Sequence, residues 1–504
     1  MKKSEKKKSP QRYFSKKNVL TLFFIRILLF TILVFPVHPV TAQNSKYFIS
    51  NTKKINVENF DKAVEQGIRD IGIPGVSLAI IEDDRVVYTN SYGYKNNIEK
   101  NKVDQSTLFE TCSLSKIYLV FVVYKLVDQG LLNLDKPLYE YLPNERLEHD
   151  PRYKLITPRM VVSHTSGLEN WEWFNQRGLL EIIKSPGTEF TYSGEGFHYL
   201  ADVVQQLVNQ PYSTYVCDMV LQPLKLKKID FNYTESDSTG NYAIGHNMMG
   251  EPFKKWTTPE PWPASTVHTT ADSFAELIIG TFNEKHLTQK SKNEILTTVA
   301  LINENQHSRY YVGNGFFILK NGNDTIINFA GDNTGFKADM FYSPSSKRGF
   351  VFFSNSDLGS LMGPLLNDLT TNFEADLYFN SSYFKGVKLI SDALKTYRNE
   401  GQEQMISEIN SKKKEELDLF MLERLMYDFY FKKIDFVAEE LAKVIIKHDA
   451  EVSHAYFVMG EVSLRTHKDK KQAKDYFLKA KEYNFPRFNI EDYLKKCEES
   501  EIDK

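Results

Sequence analysis

The sequence contains few cysteines and no cysteine pair at metal-ligand spacing. Its 504 residues include only Cys112, Cys217 and Cys497, which lie far apart and form no Cys-x-x-Cys motif. Three scattered thiols cannot provide a disulfide framework, and the eleven histidines show no ligand spacing. We therefore expect no disulfide scaffold, no metal site and no cofactor.

A strong excess of charge of one sign is also missing. The chain has 63 Lys and Arg and 65 Asp and Glu residues, a formal net charge of −2. Nine of the basic residues and one acidic residue lie within residues 1–42, so the remainder carries 54 basic and 64 acidic side chains, a formal charge of −10. A negative surface repels a phosphate backbone. We therefore expect no nucleic-acid partner.

Residues 1–42 have the layout of an export signal. A lysine-rich leader precedes the apolar run 19–37, and the small residues at 40–42 provide a cleavage point. The alternative is an uncleaved N-terminal membrane anchor, because the apolar run is close to spanning length. We expect cleavage after Ala42 and a protein that is exported to the periplasm or the extracellular space.

Strand patterns occur in two distant segments, with helical patterns between them. Residues 76–88 predict a β-hairpin and residues 157–210 predict helices separated by turns. Four further strands are predicted at 311–319, 325–329, 337–342 and 349–354. This order predicts an α+β fold, with an antiparallel sheet flanked by helices and a helical insertion.

The sequence changes character after about residue 375, where strand patterns give way to Lys, Glu, Leu and Tyr at helical spacing. We expect a first domain at 43–380 and an all-α C-terminal domain at 381–504, whose residues 385–504 are a candidate surface for a protein partner. A tetratricopeptide-like pattern is approximated by Tyr456, Met459, Gly460, Ala473, Phe477, Ala480 and Pro486. A plain helical bundle is the alternative.

Ser113 and Lys116 lie three residues apart at the start of an apolar helix predicted to end near Gly130. Residues at this spacing share a helix face, so the Lys116 amine can reach the Ser113 hydroxyl. A hydroxyl is a weak nucleophile until a base takes its proton, and a lysine can be that base if burial lowers its pKa. The alternative is a polar first turn of a buried helix.

Further motifs follow this pair in a fixed order. They are Leu126-Val127-Asp128-Gln129-Gly130, His164-Thr165-Ser166-Gly167-Leu168, Pro186-Gly187-Thr188-Glu189-Phe190, Tyr192-Ser193-Gly194, Thr270-Ala271-Asp272 and Phe329-Ala330-Gly331-Asp332. Over roughly residues 58–375 the chain resembles the serine β-lactamase and penicillin-recognising family, in its class C, esterase and D-peptidase branch. The resemblance implies the fold of that family and a serine hydrolase that acts on a small molecule or a peptide.

The resemblance also implies roles for single residues. Ser113 would attack a carbonyl and form an acyl-enzyme, with Lys116 taking its proton. Tyr192 would share the basic role, because a phenol near a lysine ammonium is easier to ionise; the alternative is a buried tyrosine bonded to backbone. The backbone N–H groups of Ser113 and of Asp332, which follows Gly331, would receive the oxyanion.

Two positions depart from the pattern of the family. Gly194 replaces the asparagine that would hold the acyl side chain of a substrate, and Phe329 replaces the cation that would bind its carboxylate. The departures favour an esterase or peptidase over a potent β-lactamase. We expect His164 to be structural and Glu195 to lie at a helix N-terminus. The alternative function is a catalytically weak or inactive binding or sensor protein whose helical tail holds a partner.

Overall fold

Antiparallel strands form the centre of the fold. The structure is a computed structural model that describes residues 45–172, 178–283, 285–322, 324–486 and 489–498; the segment 1–42, predicted to be an export signal, lies outside them. The strands in chain order are β1 (Tyr47–Ser50), β2 (Lys53–Asn56), β3 (Gly75–Glu82), β4 (Arg85–Asn96), β5 (Asn101–Lys102), β6 (Phe109–Glu110), β7 (Ile229–Asp230), β8 (His268–Thr269), β9 (Thr298–Glu304), β10 (Ser308–Gly313), β11 (Phe317–Asn321), β12 (Asp324–Asn333), β13 (Phe336–Ser343) and β14 (Arg348–Ser354).

Within the described ranges, nine strands form one antiparallel sheet in the spatial order β5-β4-β3-β14-β13-β12-β11-β10-β9. The early strand β3 pairs with the late strand β14 near its middle, with Ala79 opposite Val351. The predicted α+β fold, with a sheet assembled from distant segments, is therefore confirmed.

Helices flank the sheet and make up the C-terminal part of the chain. They are α1 (Val57–Ile71), α2 (Lys116–Asp128), α3 (Pro158–Val162), α4 (Gly194–Val208), α5 (Tyr212–Val216), α6 (Gln222–Leu224), α7 (Ala271–Phe282), α8 (Gln289–Ile295), α9 (Met362–Leu369), α10 (Asp376–Phe379), α11 (Ser382–Glu400), α12 (Gln402–Ser411), α13 (Leu419–Phe431), α14 (Asp435–His448), α15 (Ser453–Val462), α16 (Lys470–Glu482) and α17 (Ile490–Glu498). None of the helices in the described ranges is long and apolar enough to cross a membrane.

Strand β3 shows why its sequence is an almost continuous apolar run. Leu78 and Ile80 belong to the core on one face of the sheet, with helix α1. Ala79 and Ile81 belong to the core on the other face, with helix α2. Because successive side chains of a strand point to opposite faces, a strand covered on both sides is apolar at every position.

Two expectations for the region of the sheet and the insertion differ from the structure. The single strand expected at 311–319 is two strands, β10 and β11, because the chain turns at Gly315, which has φ +125° and packs against Val120 of α2. The region 157–210 has α3 and α4 near its ends, and the described residues between them carry the motif loops. The motif Thr270-Ala271-Asp272 lies at the start of helix α7, with Thr270 as the N-cap residue.

The C-terminal helices have their own apolar core, formed from α11 to α17, which also includes Met248, Leu358 and Leu361 from the preceding part of the chain. The described residues from Ser45 onward form one compact unit. The boundary at 380/381 and the tetratricopeptide-like character of the helices remain predictions.

Candidate active site

Ser113 lies on a 3-10 turn, Cys112–Ser115, that leads directly into helix α2. Cys112 is buried and adopts φ +52°, a conformation that is costly for a residue with a side chain. The Ser115 hydroxyl donates to the Cys112 carbonyl at 2.7 Å and accepts from the Val267 N–H at 3.1 Å. These contacts fix the turn, so that Ser113 is half-buried while its neighbours are fully covered.

Lys116 is completely buried beside Ser113. Its Nζ donates to the Ser113 Oγ at 3.3 Å and to the Ala264 carbonyl at 2.8 Å. The same atom lies 5.0 Å from the ring centre of Tyr192 and 5.8 Å from that of Trp171. Burial lowers the pKa of Lys116 to about 7, because the protein replaces the water that would solvate the ammonium. The amine is therefore substantially uncharged near neutral pH, as a general base must be.

Tyr192 lies beside both Lys116 and Ser113 and differs from the expectation in one respect. Burial raises the pKa of Tyr192, although a hydrogen bond with Ser113 lowers it in part. The expected easier ionisation of the phenol is thus outweighed by desolvation. At the pH where Lys116 becomes neutral, Tyr192 still holds its proton and is suited to donate it.

His164 stacks against the ring of Tyr192. The two rings stack with centroids 4.2 Å apart and an interplanar angle of 21°. The His164 Nδ1 accepts from the Ser193 N–H at 3.2 Å. Burial holds the pKa of His164 well below its ordinary value, so the imidazole is neutral. These contacts are those of the structural residue that the sequence predicts.

The end of strand β12 runs past the nucleophile turn. The pairing of β12 with β11 ends at Asn328, so the following residues approach the turn directly. A Cβ atom on Gly331 would lie 2.7 Å from the Thr111 carbonyl oxygen and 2.8 Å from the Cys112 Cβ. Only glycine fits this approach. It brings Gly331 against the turn that carries Ser113, and Asp332, whose N–H is predicted to be the second oxyanion donor, follows directly.

Phe329 lies two residues earlier on β12, with a side chain that is 1% exposed. Its ring packs 5.5 Å from Phe317 and 6.4 Å from His164. Phe329 therefore belongs to the aromatic cluster that includes Tyr192 and His164. A buried phenyl ring thus stands where the resemblance implies a cation.

An aromatic wall that the sequence analysis missed begins at Trp171, whose ring centre lies 5.8 Å from the Lys116 Nζ. Trp171 packs against Gly194 and lies 6.0 Å from Trp262, which in turn lies 5.1 Å from Trp256. The cluster of tryptophans in two loops was the available signal, but only the fold brings the loops together. The wall occupies the space beside Gly194, where the resemblance implies an amide side chain.

Glu195 lies in the first turn of α4, as expected. Its carboxylate pairs with Arg146 at 3.2 Å and accepts from the Glu172 N–H at 3.3 Å. Burial raises the pKa of Glu195, which the Arg146 charge partly offsets. We assign it to the support of this loop. In the described part of the chain, no group of three or more His, Cys, Asp or Glu residues could hold a metal ion.

The family model described as Beta-lactamase matches residues 60–370. Protein flp of Staphylococcus aureus (strain MW2) is 23% identical over 320 residues, which cover 59% of this chain; the chain spans 63% of the length of that relative.

Solved structures share the fold. D-alanine carboxypeptidase AmpC from Burkholderia cenocepacia superposes with a TM-score of 0.51 at 18% identity, covering 62% of this chain and 100% of its own. EstCE1, a hydrolase with promiscuous acyltransferase activity, gives a TM-score of 0.52 at 20% identity, covering 62% and 96%.

Proposed function

Because the chain belongs to the beta-lactamase family, we propose that it is a serine hydrolase that forms an acyl-enzyme at Ser113 with a neutral ester or amide. The observation that carries the proposal is the completely buried Lys116 amine, 3.3 Å from the Ser113 Oγ, with its pKa lowered to about 7. An uncharged amine at that distance can accept the hydroxyl proton.

The geometry supports one sequence of proton movements. The Lys116 Nζ takes the proton of the Ser113 hydroxyl as the Oγ bonds to the substrate carbonyl carbon. The carbonyl oxygen becomes an oxyanion, which the N–H groups of Ser113 and Asp332 would stabilise. As the carbonyl re-forms, the bond to the leaving group breaks. Tyr192 gives its proton to the leaving group and regains one from the Lys116 ammonium.

Hydrolysis of the acyl-enzyme runs the same route in reverse. Water replaces the leaving group, and the Lys116–Tyr192 pair accepts its proton as the oxygen attacks the acyl carbon. The Ser113 Oγ leaves and regains a proton. The enzyme returns to its starting state with one ester or amide bond exchanged for a carboxylic acid and an alcohol or amine.

The residues around Ser113 favour an uncharged acyl group. Phe329 is buried and offers no charge, and the ring of Trp171 fills the space beside Gly194. An apolar wall binds apolar groups by removing their surface from water. A carboxylate placed there would lose its hydration without gaining a cation. These features support esterase or peptidase activity over β-lactam hydrolysis.

Turnover of p-nitrophenyl butyrate tests the proposal. We expect hydrolysis by the wild type, loss of activity in Ser113→Ala, and little or no hydrolysis of a cephalosporin that carries a carboxylate. Ser411→Ala is the matched control, because Ser411 also precedes a lysine by three residues but is exposed. A folded protein that neither turns over the ester nor forms an acyl adduct contradicts the proposal.

A binding protein with a helical docking surface is the second candidate. The exposed rings of Phe431 and Phe436, 63% and 46% exposed, lie where α13 gives way to α14. This favours a protein partner on the C-terminal helices. Retained partner binding in Ser113→Ala, with loss in Phe431→Ser, would support it.

We also propose that the protein is exported, from the signal-like composition of residues 1–42. The mass of the purified native protein tests this. Cleavage after Ala42 leaves Gln43 as the first residue, whereas an uncleaved anchor leaves residues 1–42 in place and the protein in the membrane fraction.

A further inference from the structure

Helix α13 of the C-terminal part reaches the catalytic sheet through Arg424. The Arg424 Nη2 lies 2.9 Å from the Oδ1 of Asp357. Asp357 follows strand β14, and its side chain is only 5% exposed. A buried carboxylate is costly unless charged and polar groups surround it. The other hydrogen-bond partners of Asp357 therefore show which part of the sheet the Arg424–Asp357 pair holds in place.

Those partners are on the hairpin formed by β12 and β13. The Asp357 Oδ1 accepts from the Gly335 N–H at 3.0 Å and from the Lys337 Nζ at 3.0 Å. Gly335 has φ +78° and lies in the two-residue turn between the paired residues Asn333 and Phe336. A single carboxylate thus fixes the turn and the first part of β13.

Lys337 extends this network to the oxyanion side of the site. Its buried Nζ lies 2.8 Å from the Oδ1 of Asp332. Burial alone would lower the pKa of Lys337, but Asp332 and Asp357 hold it above its ordinary value. Burial alone would raise the pKa of Asp357, but Lys337 and Arg424 hold it below its ordinary value. Two cations and two anions therefore alternate from α13 to Asp332.

A second set of contacts joins the same helix to the same turn. Asp428 of α13 accepts from the Met248 N–H at 3.1 Å, and Met248 lies in the core of the C-terminal helices. Two residues earlier, the His246 N–H donates to the Gly335 carbonyl at 3.2 Å. Helix α13 thus supports Gly335 both through Asp357 and through this loop.

We propose that Arg424 is a positioning residue for the active site: through Asp357 and Lys337 it holds the β12–β13 hairpin so that the N–H of Asp332 faces Ser113. The inference rests on the proposed function and adds that the C-terminal helices determine the catalytic efficiency of the Ser113 site. Oxyanion donors act only if they are already in place when charge develops. Without Arg424, two carboxylates compete for Lys337, and the hairpin loses its anchor on α13.

Substitution of Arg424 tests this in the full chain, with Arg465→Ala as matched control. Arg465 also pairs with a partly buried carboxylate, that of Asp435, but both residues belong to the C-terminal helices. We expect Arg424→Ala to lower kcat for p-nitrophenyl butyrate by about tenfold or more with little change in KM, because the groups that stabilise the transition state are displaced. Arg424→Lys, which keeps the charge, should recover part of the loss. Equal kcat in Arg424→Ala and Arg465→Ala overturns the proposal.

Hydrogen exchange at the amides of 332–337 separates this proposal from the proposed function. We expect faster exchange there in Arg424→Ala than in the wild type or Arg465→Ala. If the wild type hydrolyses no ester, the proposed function fails, but faster exchange still establishes the link to Arg424. Unchanged exchange in the hairpin rules the link out, whatever the activity.

Discussion

The indole of Trp171 occupies the place that a side chain at position 194 would need. A Cβ atom on Gly194 would lie 2.5 Å from the Cη2 and 2.7 Å from the Cζ3 of Trp171. Real Cβ atoms do not approach ring carbons so closely, so the glycine and the tryptophan depend on each other. The departure from the family pattern at Gly194 is therefore one half of a matched pair.

Gly194→Asn should accordingly destabilise the protein by about 1–3 kcal/mol, the usual cost of overpacking. Trp171→Ala removes the obstacle, so the double variant should be less destabilised than the sum of the two single variants. Urea unfolding of the four proteins measures the coupling. Strict additivity would show that Trp171 does not exclude an asparagine from this position.

The pH dependence of ester hydrolysis reports which group is the base. Since the pKa of Lys116 is lowered to about 7, kcat/KM should fall about tenfold for each pH unit below that value, as the amine becomes protonated. Above it the rate should level off. The measurement is kcat/KM for p-nitrophenyl butyrate from about pH 5 to about pH 9, a range that extends roughly two pH units to either side of the expected pKa.

Tyr192→Phe distinguishes the two candidate bases in the same experiment. The pKa of Tyr192 is raised by burial, so the phenol does not ionise in this range. The variant should be less active at every pH, but its kcat/KM should still rise with pH around the same midpoint as in the wild type. Loss of that rise would identify Tyr192 as the titrating base instead.

Asp428, on helix α13, should make the free energy of unfolding depend on pH. Burial, together with the nearby Asp357, raises its pKa to about 7, above the unfolded value of about 3.9. The native state then binds more protons than the unfolded state between these values, so stability is lost as pH rises from about 4 to about 7.

Asp428→Asn removes this titration and keeps an oxygen that can accept the Met248 N–H. Its free energy of unfolding should exceed that of the wild type by an amount that grows across this range, by up to about 4 kcal/mol. Urea unfolding at several pH values measures the difference, with the exposed Asp449→Asn as control. A difference that does not vary with pH would contradict the assignment.

The parts of the site that depend on nearby residues could be predicted from the sequence. Ser113 and Lys116 meet because helical geometry brings residues three apart to one face. Helix α7 begins at Ala271, directly after Thr270, a residue type that is common at the N-cap and is in the extended conformation here. Gly331 could be inferred from its motif, and the close approach to the Cys112 turn explains why no side chain fits there.

Long-range contacts account for what the sequence analysis missed. Gly315, where the chain turns, has φ +125°, and Val120 on a distant helix leaves no room there for a side chain. The pKa of Tyr192 depends on how much of the ring the fold buries. The link from Arg424 to Asp357 joins residues that no local pattern connects. Charge pairs between separate elements become visible only once the fold is known.

Fluorophosphonate labelling with peptide mapping reports directly whether Lys116 activates Ser113. Lys125 provides the control, since it lies on the same helix but its Nζ donates to the His286 carbonyl at 2.7 Å. We expect the label on Ser113 in the wild type and in Lys125→Ala, and its loss in Lys116→Ala. Labelling of Lys116→Ala at the rate of the wild type, or a label on a residue other than Ser113, would contradict the proposed mechanism.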